Sequence, residues 1–173
     1  MKWVKAMLLN LAKIIDSPGA VIPFSETVDL HELQFGNTFP VSEPVHASGQ
    51  IRNTAGVLLL TGNLKTPLNC VCDRCTTQFI DEFDLDFEAT LVTELQNEQE
   101  ADEWVFLLEN DGVDLEEVIT TAFVLNMDSK MLCSEDCKGL CAKCGANLND
   151  GPCGCKKEVD PRLAVLAQLL EKK

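Results

Sequence analysis

Six of the chain's nine cysteines fall between Cys133 and Cys155, in the order Cys133-x3-Cys137-x3-Cys141-x2-Cys144-x8-Cys153-x-Cys155. A smaller set, Cys70-x-Cys72-x2-Cys75, lies upstream. No other feature constrains the fold as strongly. Thiolates are soft ligands, and Zn²⁺ takes four of them in a closed tetrahedron. A C-x2-C turn puts two sulfurs on one side of such a tetrahedron, so the paired turns amount to one or two structural zinc sites. The cysteine-rich tail is too poor in apolar residues to be expected to fold without its ion.

A disulfide framework is the rival reading, and it needs an oxidising compartment. The first residues resemble a secretory signal only weakly. Asn10 and Lys13 break the apolar stretch, and no small-residue cleavage site follows. No run approaches the roughly 20 apolar residues of a membrane span. An odd number of cysteines also suits disulfide pairing poorly, so zinc is the preferred reading.

A chain of 173 residues suits one domain with an appendage or two small domains. Hydrophobic residues make up 46%, enough for a real core ahead of the tail. The expected division is a core domain of antiparallel sheet plus helix over 1–129, and a zinc-binding tail with a C-terminal helix over 130–173. The net charge of −14 argues against nucleic acid until its distribution is considered. From Thr76 to Ser129 there are 16 Asp and Glu and no Lys or Arg. The rest carries 14 basic and 12 acidic residues. Acidity is thus segregated into one stretch, either a partner surface or a solvated face.

Leu8, Leu11, Ile14 and Ile15 have near-helical spacing, so residues 1–16 are expected to be a short helix or to pass from helix to strand. Ser17-Pro18-Gly19 is a turn. Residues 20–33 read as extended, with Pro23 marking a sheet edge. Residues 36–44 form a loop. A β-meander follows, with strands over 45–52 and 57–68 about a turn at Asn53-Thr54-Ala55-Gly56. The clearest strand runs from 79 to 93. Phe83, Leu85, Phe87, Ala89 and Leu91 lie on one face, and Asp84, Asp86, Glu88 and Thr90 on the other. Residues 94–103 are expected to be a mobile acidic loop, and 104–108 a short strand. After a turn at Asn110-Asp111-Gly112, Asp114 caps a helix with Glu117 three residues on. Leu115, Val118, Ile119, Ala122 and Phe123 form its apolar stripe. Asp160 and Pro161 open a last helix with a Leu163, Leu166, Ala167, Leu170 stripe. The fold class expected is α+β: an antiparallel meander or partly closed barrel with packed helices, then a zinc knuckle and a terminal helix.

By local spacing the most economical metal site is Cys141, Cys144, Cys153 and Cys155, with Gly145 permitting the tight turn. Cys133 and Cys137 remain, with Cys72 and Cys75 as the obvious partners and Cys70 as a spare thiol. A tail-only site of Cys133, Cys137, Cys141 and Cys144 fits too. Catalytic zinc usually has histidine or carboxylate ligands and an open position. The only histidines, His31 and His46, stand in no metal motif and read as surface residues. No nucleophile elbow, phosphate loop or dinucleotide fingerprint occurs. With no tyrosine, no base-stacking platform is evident.

Taken together, several motifs carry a family likeness. They are Cys72-Asp73-Arg74-Cys75 after a long strand, the acidic loop, Asp114-Leu115 opening a helix, and Leu132-Cys133…Cys137-Lys138-Gly139-Leu140-Cys141-x2-Cys144-Gly145-x-Asn147-Leu148-Asn149…Cys153-x-Cys155…Asp160-Pro161-Arg162-Leu163. The chain resembles the large ribosomal RNA subunit accumulation protein family, the YceD-type proteins, in its cysteine-rich bacterial branch. Two features depart from that pattern: residues 1–6 precede the usual start near Met7, and 126–130 lacks an expected proline.

The resemblance implies a non-enzymatic cytoplasmic factor that supports accumulation of large-subunit (23S) ribosomal RNA, through binding that RNA or its precursor. No catalytic residues carry over. Arg74 is the candidate phosphate contact within the first knuckle, with a structural salt bridge or cap to a nearby carboxylate as the equal alternative. Lys138, Lys143, Lys156, Lys157 and Arg162 are candidates for a phosphate-facing patch. Two other functions fit the composition. The acidic stretch suits a chaperone or adaptor for a basic ribosomal protein, and the clustered thiols suit a zinc-thiol redox switch.

Overall fold

The computed structural model describes residues 8–94 and 104–155. In chain order the elements are β1 (Leu8–Asn10), α1 (Ala12–Ile15), β2 (Val21–Val28), β3 (Val45–Thr54), β4 (Val57–Val71), β5 (Gln78–Val92), β6 (Val105–Leu107), β7 (Gly112–Asp114) and α2 (Leu115–Leu125). A mixed α+β architecture dominated by sheet results. Two compact units can be distinguished: residues up to 70 together with 78–131, and 71–77 together with 132–155.

The first unit holds a five-stranded sheet in the order β2-β3-β4-β5-β6. β2, β3 and β4 pair antiparallel, from Val21↔Arg52 and His46↔Lys65 onward. Alternation along β4 buries Leu58, Leu60, Leu64 and Leu68. On β5 the expected faces are found: Phe87, Ala89 and Leu91 are buried, while Asp84, Asp86 and Glu88 are exposed. On the exposed side Asn63 Nδ2 donates to Asp84 and Asp86 at 2.7 and 2.8 Å, and Lys65 Nζ lies 2.9 Å from Asp84. These partners, Asn63 first, hold the Asp84 carboxyl below its ordinary range. At the register pair Gly49↔Gly62 the strands approach so closely that a Cβ on Gly49 would stand 2.1 Å from Thr61 O. Glycine is required there by close approach.

Two expectations need correction. The sheet is open, not a partly closed barrel: β2 and β6 lie at its two edges. β2 carries Pro23, which lacks a ladder donor and suits an edge, and β6 has only three residues. Nor is the sheet wholly antiparallel. β6 runs parallel to β5, with Thr90↔Val105 and Val92↔Leu107 in register. The connection between them is about a dozen residues, the length a parallel return needs.

The N-terminal segment, expected as a short helix or a passage from helix to strand, runs in the opposite order over its described residues, strand before helix. Residues 8–10 form β1 and pair with β7, Leu9 opposite Val113. Leu11 N–H donates to Asp111 O at 2.7 Å, and helix occupies only Ala12–Ile15. Asn53, 1% exposed, explains where this short turn is anchored. Its Nδ2 donates to Ile14 O and Ile15 O at 2.7 Å each, and its Oδ1 accepts from Gly56 N–H at 2.9 Å. The carbonyls at the end of the turn are thereby satisfied.

α2 takes the expected cap and stripe, with Asp114 reaching Glu116 and no capping box formed with Glu117. Asp114 caps it, accepting from Glu116 N–H at 3.0 Å, and Leu115, Val118, Ile119, Ala122 and Phe123 are all buried. Phe123 packs against Phe83 of β5, ring centroids 4.8 Å apart, and against Phe35 at 6.0 Å. The terminal helix expected from Asp160, and most of the acidic loop at 94–103, lie outside the described residues.

Candidate metal centres

The second unit is built around two turns of the same design. In the first, Cys72-Asp73-Arg74-Cys75, Thr76 N–H donates to Cys72 O at 2.8 Å and Cys72 N–H to Thr77 O at 2.9 Å. In the second, Cys141-Ala142-Lys143-Cys144, Gly145 N–H donates to Cys141 O at 2.8 Å and Cys141 N–H to Ala146 O at 2.8 Å. Both turns need a left-handed residue just after the second cysteine. Gly145 meets that at φ 71° without strain, whereas Thr76 does so at φ 57° despite its branched Cβ. The turn brings its two sulfurs to one side and aims backbone N–H groups at them.

Each turn forms half of a four-sulfur set. The sulfurs of Cys72, Cys75, Cys133 and Cys137 all lie within 4.8 Å of one another, and so do those of Cys141, Cys144, Cys153 and Cys155. In the first set Cys72 and Cys137 are 3.7 Å apart, and Cys75 and Cys133 are 3.6 Å apart. A tetrahedron with Zn–S of 2.3 Å has sulfur edges of about 3.8 Å, so this spacing fits a metal ion. It is far beyond the ~2.05 Å of a disulfide. The first set is largely buried: Cys72, Cys75 and Cys137 are 0, 3 and 4% exposed. The second is more open, with Cys144 and Cys155 exposed.

The chemistry of the sulfurs points the same way. Cys72 is held down at about 6, chiefly by the backbone N–H of Cys133 and then those of Cys75 and Arg74. The hydroxyl and backbone N–H of Thr77 lower Cys75. Cys133 is pushed up to about 12, first by its hydrogen bond to Cys75. In the second set the N–H groups of Cys144 and Lys143 hold Cys141 at about 6, while Cys144 pushes Cys155 up to about 12. Each set thus stabilises one thiolate strongly and resists ionising another. A full set of thiolates requires a cation among them, and a soft divalent ion fits this donor set.

Arg74 braces the first set. Its Nη1 donates to Glu135 O and Cys137 O, both at 3.0 Å, and its backbone O accepts from Leu140 N–H at 3.1 Å. The guanidinium thus meets backbone carbonyls, not the carboxylate that the alternative reading expected. Lys138 and Lys143 are exposed in the same unit. Lys156, Lys157 and Arg162 lie outside the described residues. Cys70 joins neither set; its Sγ is 3.7 Å from Met131 Sδ, and burial pushes its thiol up. His31 is exposed beside Asp29 at 2.6 Å, and no histidine joins a metal-holding group among the described residues.

Spacing alone missed three residues. Thr77 Oγ1 lies 3.2 Å from Cys75 Sγ. Thr76 carries the strained turn. Asn149 Nδ2 lies 3.3 Å from Cys137 Sγ. The similarity of Cys-x2-Cys-Thr to Cys-x2-Cys-Gly was the available signal for Thr76; for Asn149 it was the residue's place in the Asn147-Leu148-Asn149 motif.

No helix among the described residues is long and apolar enough to cross a membrane. The sequence model of the family described as large ribosomal RNA subunit accumulation protein YceD matches residues 60–170. An uncharacterized protein of Mycobacterium leprae is 27% identical, over 96% of this chain and 79% of its own length. An uncharacterized protein of Mycobacterium tuberculosis is 26% identical, over 95% and 81%. The chloroplastic large ribosomal RNA subunit accumulation protein YCED homolog 1 of Arabidopsis thaliana is 26% identical, over 69% of this chain but 46% of its own length. No solved structure matches.

Proposed function

The chain belongs to the large ribosomal RNA subunit accumulation protein YceD family, and from that membership we propose that it is a non-enzymatic ribosome-biogenesis factor that binds large-subunit ribosomal RNA or its precursor. The observation that carries this reading is the extent of the family match. Residues 60–170 span all eight cysteines of the two sets. The family's description speaks of RNA accumulation and names no reaction.

In this reading two structural Zn²⁺ ions, one held by Cys72, Cys75, Cys133 and Cys137 and one by Cys141, Cys144, Cys153 and Cys155, give the second unit its shape. The ions supply cross-linking and charge neutralisation, with no open position for catalysis. Lys138 and Lys143, with Lys156, Lys157 and Arg162, supply phosphate contacts, and Arg74 acts mainly by holding the carbonyls of residues 135 and 137. Reduced thiols at metal-site spacing suit the cytoplasm.

The test is ultraviolet crosslinking of the protein in its own cells, followed by sequencing of the attached RNA. The reading predicts enrichment at defined positions of the large-subunit ribosomal RNA precursor. Background signal throughout would contradict direct binding. It would favour a second reading, in which the carboxylates of β5 receive a basic ribosomal protein and the effect on RNA is indirect. That reading draws on the exposed row Asp84, Asp86 and Glu88. It predicts recovery of such a protein at low salt after RNA is removed.

A further inference from the structure

The eight-residue loop between Cys144 and Cys153 closes the second cysteine set, yet one of its side chains serves the first. Asn149 Nδ2 lies 3.3 Å from Cys137 Sγ, and its Oδ1 accepts the backbone N–H of Lys138 at 2.8 Å. Because the amide oxygen is engaged by an N–H, the NH₂ end is the one that faces the sulfur. The loop is held in place by Leu148 N–H donating to Gly139 O at 2.9 Å and by the bridge Leu140↔Asn147. Asn149 N–H donates to Asn147 Oδ1 at 3.0 Å, which fixes the turn that presents the side chain.

We infer that Asn149 is a positioning residue that couples the two metal centres. An ion held by Cys141, Cys144, Cys153 and Cys155 fixes both ends of the loop. The fixed loop delivers an N–H donor to Cys137, a sulfur of the other centre. Four thiolates on one divalent cation leave excess negative charge, and a donor aimed at one of them offsets part of it. The buried centre is therefore tightest when the exposed centre is filled, and loss of the exposed ion loosens both. This inference rests on the metal-binding reading above.

The full chain is loaded with Zn²⁺ and exposed to rising chelator in the presence of a thiol-alkylating reagent. Labelling of Cys137 is then read by peptide mass spectrometry, which reports the first centre alone. Asn149→Ala is expected to lower the chelator concentration that exposes Cys137 by about tenfold to a hundredfold, the usual effect of losing such a partner. Asn149→Asp keeps an oxygen for Lys138 N–H but loses the donor to sulfur, so it separates the N–H···S contact from loop folding. It is expected to be at least as weak. Cys144→Ser with Cys155→Ser should shift Cys137 exposure by a similar factor, and adding Asn149→Ala should change nothing further. Unchanged Cys137 protection in Asn149→Asp, or shifts that multiply when the variants are combined, would overturn the coupling. Cys137 labelled equally fast with and without Zn²⁺ in the parent chain would instead overturn the metal reading itself.

Discussion

Cys72 and Cys137 hold their sulfurs 3.7 Å apart although 65 positions separate them in the chain. A short cysteine turn and a distant tail are thereby fastened at one point, and 71–77 belongs with 132–155 for that reason. An ion at this point closes a long loop, and structural zinc typically contributes about 10–16 kcal/mol to folding of its module. Cys72→Ser or Cys137→Ser is expected to lose one bound metal and to make the segment from 132 onward sensitive to protease. Cys70→Ser, outside both sets, should retain both metals and the parent's protease resistance.

Metal binding should release protons and weaken as pH falls. Near neutral pH Cys72 and Cys141, held at about 6, are already thiolates, whereas Cys133 and Cys155, pushed up to about 12, must each give up a proton to bind. Below pH 6 the first pair must lose protons as well. Affinity therefore falls with decreasing pH, and more steeply below that point. Titration calorimetry in buffers of different ionisation enthalpy measures the proton release directly.

The two turns differ in strain, and exchange of residues should show it. Thr76 sits at φ 57° where the matching position has glycine. Thr76→Gly is expected to strengthen metal retention by about 1 kcal/mol, roughly fivefold, and Gly145→Thr to weaken it by a similar amount. Chelator competition on the purified chain gives both values.

The glycine pair at the centre of the sheet makes an asymmetric prediction. A Cβ on Gly49 meets backbone, Thr61 O at 2.1 Å and Gly62 Cα at 2.6 Å. A Cβ on Gly62 meets the Phe87 ring at 2.8 Å, and a ring can shift. Gly49→Ala should cost at least the upper part of the usual 1–3 kcal/mol for overpacking, and Gly62→Ala less. Thermal unfolding of the two variants tests the order.

How much of this was legible depended on the length of each signal. The stripe from Leu115 to Phe123 and its Asp114 cap span three turns, so their period stands out from any background. β5 alternates from Phe83 onward, and its faces there follow from the pattern. β1 and β6 have three residues each, too few for any period, and the direction of β6 is set by a crossover that no local residue encodes. The cysteines were legible in pairs, because a C-x2-C turn is local. Which distant pair joins Cys133 and Cys137 depends on the packing of the whole unit. Asn149 stands in the family motif, but its contact with Cys137 could not be read: a loop asparagine looks the same whether it faces water or a sulfur.

The central claim is that one chain holds two metal ions through eight of its cysteines. Native mass spectrometry of the full-length protein, purified without chelator under reducing conditions, tests it most directly. The account predicts a mass increment of two zinc ions, falling to one when Cys153 and Cys155 are replaced by serine. A metal-free chain, or one whose cysteines are joined as disulfides, would contradict it.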